Sequence, residues 1–249
     1  GLSMDLSSPD FWIAVGQIIA IDILLGGDNA VVIALASRRL PVQQRTQAIF
    51  WGMFGAVGLR VVLIFFALEL LQFPYLKIVG GLLLLWIGIK LLLPADEDGG
   101  HEINASVHLL GAIKTIVLAD AVMSLDNVIG IAGAAKGHLG LVVFGLIVSV
   151  PIIVWGSRFV LTLMDRFPVV ILGGAALLGW IAGDMIAHDV VLAAHYAALA
   201  PGVFAWTAPV AGAVLVVATG KLGGKRRSEA TKTEPVDLVR RDGNSEHQE

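Results

Sequence analysis

The chain has no cysteine, so disulfide frameworks, thiolate metal sites and thiol redox chemistry are excluded. Charge is scarce as well. Only 15% of the residues are Asp, Glu, Lys or Arg, against about 25% in soluble globular domains. No surplus of positive charge exists to hold a polyanion: the formal net charge is −3, and no nucleic-acid partner is expected. Apolar and polar residues do not alternate over any long stretch, so strands are not expected. Lys and Arg are absent before Arg38, and without a basic n-region the first apolar run does not read as a signal peptide.

What the chain does have is apolar length. Hydrophobic residues make up 57%, and the mean hydropathy is +0.83. Seven apolar runs can be drawn, at 11–36, 47–72, 75–93, 107–134, 138–163, 168–189 and 202–219. The predicted fold class is therefore all-α, a polytopic membrane protein with seven transmembrane helices. Gly1-Leu2-Ser3 before Met4 reads as a cloning scar within an extracytoplasmic N-terminus, 1–10. Arg38, Arg39 and Arg45 follow the first run, and Lys221, Lys225, Arg226 and Arg227 follow the last. Seven crossings put both basic segments on one side, which the excess of Lys and Arg marks as cytoplasmic. The acidic segment 94–106 falls on that side too, and the polar tail 220–249 reads as disordered.

The informative residues are those that break the apolar runs. Asp22, Asp28 and Asn29 lie in the first run and Asp120, Asp126 and Asn127 in the fourth, each 98 positions after its counterpart. The same offset carries Arg60 onto Arg158. Further on the offset becomes 94, with Phe73-Pro74 falling on Phe167-Pro168 and Trp86 on Trp180. Residues 11–93 and 107–189 thus read as two copies of a three-helix unit, and 202–219 as one extra, peripheral helix. An odd number of crossings per copy inverts one copy relative to the other. This inverted-topology arrangement places a site near the bilayer midplane, where the copies meet.

Burying four aspartates costs on the order of 10–14 kcal/mol at insertion-scale rates. Protons, arginines or a bound cation would offset it. Four Asp, two Arg and one divalent cation balance to zero, which also suggests exchange of a metal for two protons. The donor set is all oxygen, the chemistry that Mn²⁺, Mg²⁺ or Ca²⁺ prefers over Cu or Zn. Asp22, Asp28, Asn29, Asp120, Asp126 and Asn127 are the expected metal ligands. Arg60 and Arg158 are the expected charge-balancing or gating groups, and Asp184 and Ser124 candidates for a proton or access path. If the first helix ran straight, Asp22 and Asn29 would share a face and Asp28 would not. Unwinding at Gly26-Gly27 would let all three converge. Met123 reads as packing, Gly52, Gly55 and Gly58 as a close helix contact, and His188, Asp189 and His195 as a weak outer access site.

The doubled motif, Gly26-Gly27-Asp28-Asn29-Ala30 and Ser124-Leu125-Asp126-Asn127-Val128, each with a second Asp six residues before its own, closely resembles the TerC family of bacterial membrane proteins. The resemblance runs over roughly residues 11–220. That family is named for tellurium resistance and sits in the LysE-type exporter superfamily. The resemblance implies a bacterial inner-membrane exporter of Mn²⁺, with the motif acids handling the metal as transported substrate. No organic cofactor and no enzymatic activity are expected. The partners are the divalent ion and the lipid bilayer. Four other readings compete: a structural polar network, a channel, a LysE-type exporter of a cationic or zwitterionic solute, and an intramembrane aspartyl protease. The protease would need one acid on each of two helices sharing a proton.

Overall fold

The structure is a computed structural model that describes residues 9–66, 73–93, 104–134, 139–196 and 203–232. All regular structure among them is α-helical, in chain order α1 (Pro9–Ser37), α2 (Val42–Phe65), α3 (Leu76–Leu92), α4 (Asn104–Ala134), α5 (Leu139–Arg166), α6 (Pro168–Ala187), α7 (Val190–Tyr196) and α8 (Val203–Lys232). Each expected apolar run is occupied by a helix, and a short one, α7, lies between the last two of them. Val42–Phe65, His108–Leu125, Gly140–Arg166, Pro168–Ala187 and Val203–Gly223 are long and apolar enough to cross a membrane. The two arms of α1, Phe11–Leu24 and Gly27–Ser37, make a sixth crossing if taken together. α3 has 17 residues, about 25 Å of helix at ~1.5 Å per residue. The chain is a multi-pass helical membrane protein.

The exterior is apolar. Trp51, Phe54, Trp155, Phe159 and Trp206 all point outward, Trp155 with 72% of its surface exposed. Exposed aromatics on α2, α5 and α8 suit lipid and not water. Inside, α1 lies along α5 and α4, α2 along α4, and α3 along α6. Ile33, Leu35, Met53, Leu84, Ile116 and Met185 form part of the largest buried cluster. Gly52 and Gly55 bring α2 onto α4: a Cβ at either would come within 2.9 Å of Ile116 or Val117. Gly58 has open space around it, so two of the three glycines make the expected contact.

Helix ends meet in two groups. At one end of the bundle Arg45 pairs with Asp165 at 2.7 Å. Arg38 and Arg39 each donate to the Leu91 carbonyl at 2.8 Å, and Arg39 also reaches Leu93. These guanidiniums satisfy the orphan carbonyls at the C-terminus of α3 and complement its negative dipole end. At the other end Asp189 is buried and caps the N-terminus of α3. Its carboxylate accepts the backbone N–H groups of Tyr75, Lys77 and Ile78 at 3.2–3.4 Å, and that of Val191 at 3.0 Å. Tyr75 holds φ at +66° to make the turn. Such left-handed backbone is uncommon for a residue other than glycine, and the Asp189 carboxylate takes up its N–H. Asp189 is thus committed to the fold. His188 and His195 are exposed, and the three form no common site.

Two expectations change here. α1 does not open at its glycines; it stays helical through Pro9–Ser37 and bends by 51° between its arms. Paired glycines let a helix kink while keeping most of its ladder. The polar tail is not uniformly irregular either, because α8 continues to Lys232. Its Lys, Arg, Glu and Ala residues are good helix formers, and extending an existing helix avoids the cost of nucleation. Residues 233–249 and most of the 94–106 segment lie outside the described residues. α8 packs on α6 and α3, away from the interface of α1 and α4. It is peripheral, yet tightly joined: a Cβ at Gly183 would overlap the Ala208 carbonyl, and one at Gly179 the Gly212 carbonyl.

Candidate functional site

Four helices contribute to one buried polar centre. α1 brings Asp22 and Asn29, seven residues apart and so on one face. α2 brings Arg60. α4 brings Asp120 and Ser124, one turn apart, and α5 brings Ser149. Asp22, Asn29, Arg60, Asp120, Ser124 and Ser149 are all buried, with Arg60 only 2% exposed.

Arg60 stands at the middle. Nη1 bonds Asp22 Oδ1, Nη2 reaches Asp120 Oδ1 at 2.5 Å, and Nε donates to Ser124 Oγ at 3.0 Å. Ser124 in turn donates to Asp120 Oδ2 at 3.3 Å. Ser149 donates to Asp22 Oδ2, and Asn29 Nδ2 donates to Asp120 Oδ1 at 2.8 Å. All four carboxylate oxygens therefore have partners. Asn29 Oδ1, in contrast, is buried with no hydrogen-bond partner. A buried amide oxygen without a donor is costly, and it belongs to a centre whose formal charge is one negative.

The remaining expected site residues fall elsewhere. Asp28 is half-buried, and its Oδ1 accepts the Asn29 backbone N–H at 3.0 Å. The carboxylate supplies a local acceptor just past the bend of α1 and does not join the Arg60 network. Arg158 is exposed on α5, so the count of two arginines balancing four acids does not hold for this centre: one guanidinium is in place. Asp184 is 45% exposed at the end of α6 and pairs with the next-turn His188 at 3.3 Å, apart from the centre. Asp126 and Asn127 belong to α4, but their side chains lie outside the described residues. Among the described residues no group of three or more His, Cys, Asp or Glu is arranged to hold a metal ion. Ser149 is the participant that sequence reasoning missed. Its one signal is a lone hydroxyl residue in the apolar run preceding Pro151.

The geometry also bears on whether Asp22 and Asp120 form a proton-sharing pair. Two acids that share a proton must approach each other, whereas here a guanidinium stands between Asp22 and Asp120. Asp22 and Asp120 therefore do not form a proton-sharing dyad.

Comparison with known proteins places the chain. The profile of the integral membrane protein TerC family matches residues 7–228. The uncharacterized membrane protein YjbE of Bacillus subtilis is 48% identical over 180 residues, covering 72% of this chain and 82% of the relative. The UPF0053 inner membrane protein YgdQ of Escherichia coli is 28% identical over 181 residues, covering 66% and 76%. The membrane protein YceF of Bacillus subtilis is 27% identical over 188 residues, covering 72% and 73%. No solved structure gives a significant match. With a profile match over residues 7–228 and a relative 48% identical over most of both chains, the chain belongs to the TerC family of integral membrane proteins.

Proposed function

We propose that the protein is a membrane transporter that exports a divalent cation, with Mn²⁺ the foremost candidate and Ca²⁺ or Mg²⁺ next. The observation that carries this reading is the meeting of Asp22 and Asp120, from two different helices, around one guanidinium in the interior of a multi-pass bundle. Such intramembrane acids are expensive and mark ion pathways. The unpartnered Asn29 Oδ1 adds a hard neutral donor beside them. Preference for Mn²⁺ and outward direction rest on the family resemblance alone. Asp28, Asp126 and Asn127 complete the proposed ligand set.

The proposed architecture is seven crossings, with two inverted three-helix units and α8 outside them. Helix packing supports it. α1 lies on α5 as α4 lies on α2, while α1 meets α4 and α3 meets α6 across the axis relating the two units. In this topology the N-terminus is outside and the C-terminus cytoplasmic. Cysteines introduced at Arg45 and Gly137 should then react with an impermeant thiol reagent from opposite faces of the membrane. Labelling of both from one face would refute the inverted arrangement.

The ligand set is tested by calorimetry in detergent and by uptake into proteoliposomes with Mn²⁺, Ca²⁺, Mg²⁺ and Zn²⁺. Wild type is compared with Asp28→Ala and Asp126→Ala. Each substitution should weaken Mn²⁺ binding by about ten-fold or more, as disturbing a metal site by one group does. Equal binding by all three proteins would sink the metal-site assignment. A second reading calls for one arm of the same assay, because Arg60 between two acids could also hold a zwitterion, its guanidinium on the carboxylate and an aspartate on the ammonium. Lysine uptake that Mn²⁺ does not compete with would favour that reading.

A further inference from the structure

Arg60 ties together two helices other than its own. Its three guanidinium nitrogens go to Asp22, Asp120 and Ser124, which lie on α1 and α4. None of these partners is on its own helix, α2. The same two carboxylates have no oxygen left free, since Ser149 holds Asp22 Oδ2, Asn29 shares Asp120 Oδ1, and Ser124 holds Asp120 Oδ2. A cation entering the centre therefore cannot simply add to it. It can reach Oδ2 of either acid only in place of a serine hydroxyl, and it gains both whole carboxylates only by taking Oδ1 of each from Arg60. A guanidinium so displaced gives up both of its ion pairs. Arg158, the matching position in the second unit, is exposed, so the centre contains one such charge and the two units are not equivalent.

We propose that Arg60 is a tethered counter-cation that competes with the transported divalent cation for Asp22 and Asp120. The centre then alternates between a guanidinium-bound and a metal-bound arrangement. The inference rests on the divalent-cation reading of the same centre and adds to it a specific resetting step. When the metal leaves, Arg60 returns, so the carrier resets without two bare carboxylates in the membrane interior, where an uncompensated charge is most expensive.

The test uses the purified full-length chain, with Mn²⁺ as probe. Binding is measured by calorimetry for wild type, Asp22→Asn, Arg60→Gln and Arg60→Lys, with a melting curve for each. Net efflux and Mn²⁺–Mn²⁺ exchange are then measured in proteoliposomes. Arg60→Gln should bind Mn²⁺ at least about five-fold more tightly than wild type, the lower end of typical coupling between competing ligands. It should also lose net efflux more severely than exchange, because only net efflux requires the metal-free carrier to return. A merely structural arginine would give equal losses in both modes. Arg60→Lys keeps the charge but cannot fork across two carboxylates and a hydroxyl, so its Mn²⁺ affinity should fall between the other two. If Arg60→Gln does not fold, tighter binding by Arg60→Lys than by wild type supports the inference in its place. Unchanged or weaker binding in the folded Arg60 variants overturns the inference, while loss of binding in Asp22→Asn leaves the transport reading standing. Failure of wild type and all variants to bind any divalent cation overturns both.

Discussion

Asp120→Ala should destabilise the protein strongly. Asp120 is where the network converges, because it accepts from Arg60, Asn29 and Ser124. Truncation leaves the Asn29 amide without its acceptor and deprives Arg60 of one of its two carboxylates. Each buried donor left without its acceptor costs about 1–3 kcal/mol, and more than one is left. Asp120→Asn should behave differently, since an amide oxygen can still accept from Arg60 and the remaining Asp22–Arg60 pair is formally neutral. Its cost should stay near the roughly 0.5–1.5 kcal/mol of one net hydrogen bond. Unfolding in detergent, followed by the fluorescence of the six tryptophans, separates the two variants. Equal losses would mean that the acceptor network is not what holds α1, α2 and α4 together.

Gly183→Ala should be the second severe change, though it adds a single methyl group. Its Cβ would land on the Ala208 carbonyl, and backbone cannot swing aside as a flexible side chain does. Helix α8 would have to separate from α6 along the seam that Gly179 and Gly212 continue. Overpacking typically costs about 1–3 kcal/mol, and a backbone-to-backbone overlap belongs at or above the upper end. Gly173→Ala, on the same helix, supplies the control. A Cβ there meets nothing within 4 Å, so only the gain in helix propensity remains, up to about 1 kcal/mol. One substitution should thus destabilise at 183 and stabilise at 173. Limited proteolysis should release α8 from the first variant and leave it docked in the second. The same sign for both would refute the seam.

Much of the centre is legible from spacing. Asp22 and Asn29 must share a face, the offset of 98 positions pairs Asp22 with Asp120, and both acids do meet. What spacing cannot carry is symmetry breaking. Arg60 and Arg158 look equivalent along the chain, yet one is buried and the other exposed, because burial depends on which neighbouring face each helix turns toward. Ser149 escapes for a related reason. A single hydroxyl in an apolar run acquires meaning only from what stands opposite, and its partner Asp22 lies on another helix. Asp189 carries a charge that suggests an access site, but the unsatisfied N–H groups at the start of α3 claim it. That demand is invisible until α3 and the end of α6 are brought together. The glycine pair does mark a weak point in α1. It yields by bending and not by opening, since a bend keeps more of the backbone hydrogen bonds.

The two-ended capping of α3 has a consequence for the surrounding lipid. On the proposed topology α3 crosses with about 25 Å of helix, against a hydrocarbon layer of about 30 Å. Asp189 at one end and Arg38 and Arg39 at the other would then sit below the level of the headgroups. Polar groups at that depth draw water and headgroups inward, so the bilayer thins along this flank. Acyl chains shorter than average would match the protein there, and mismatch of this kind sorts membrane proteins toward thinner membranes.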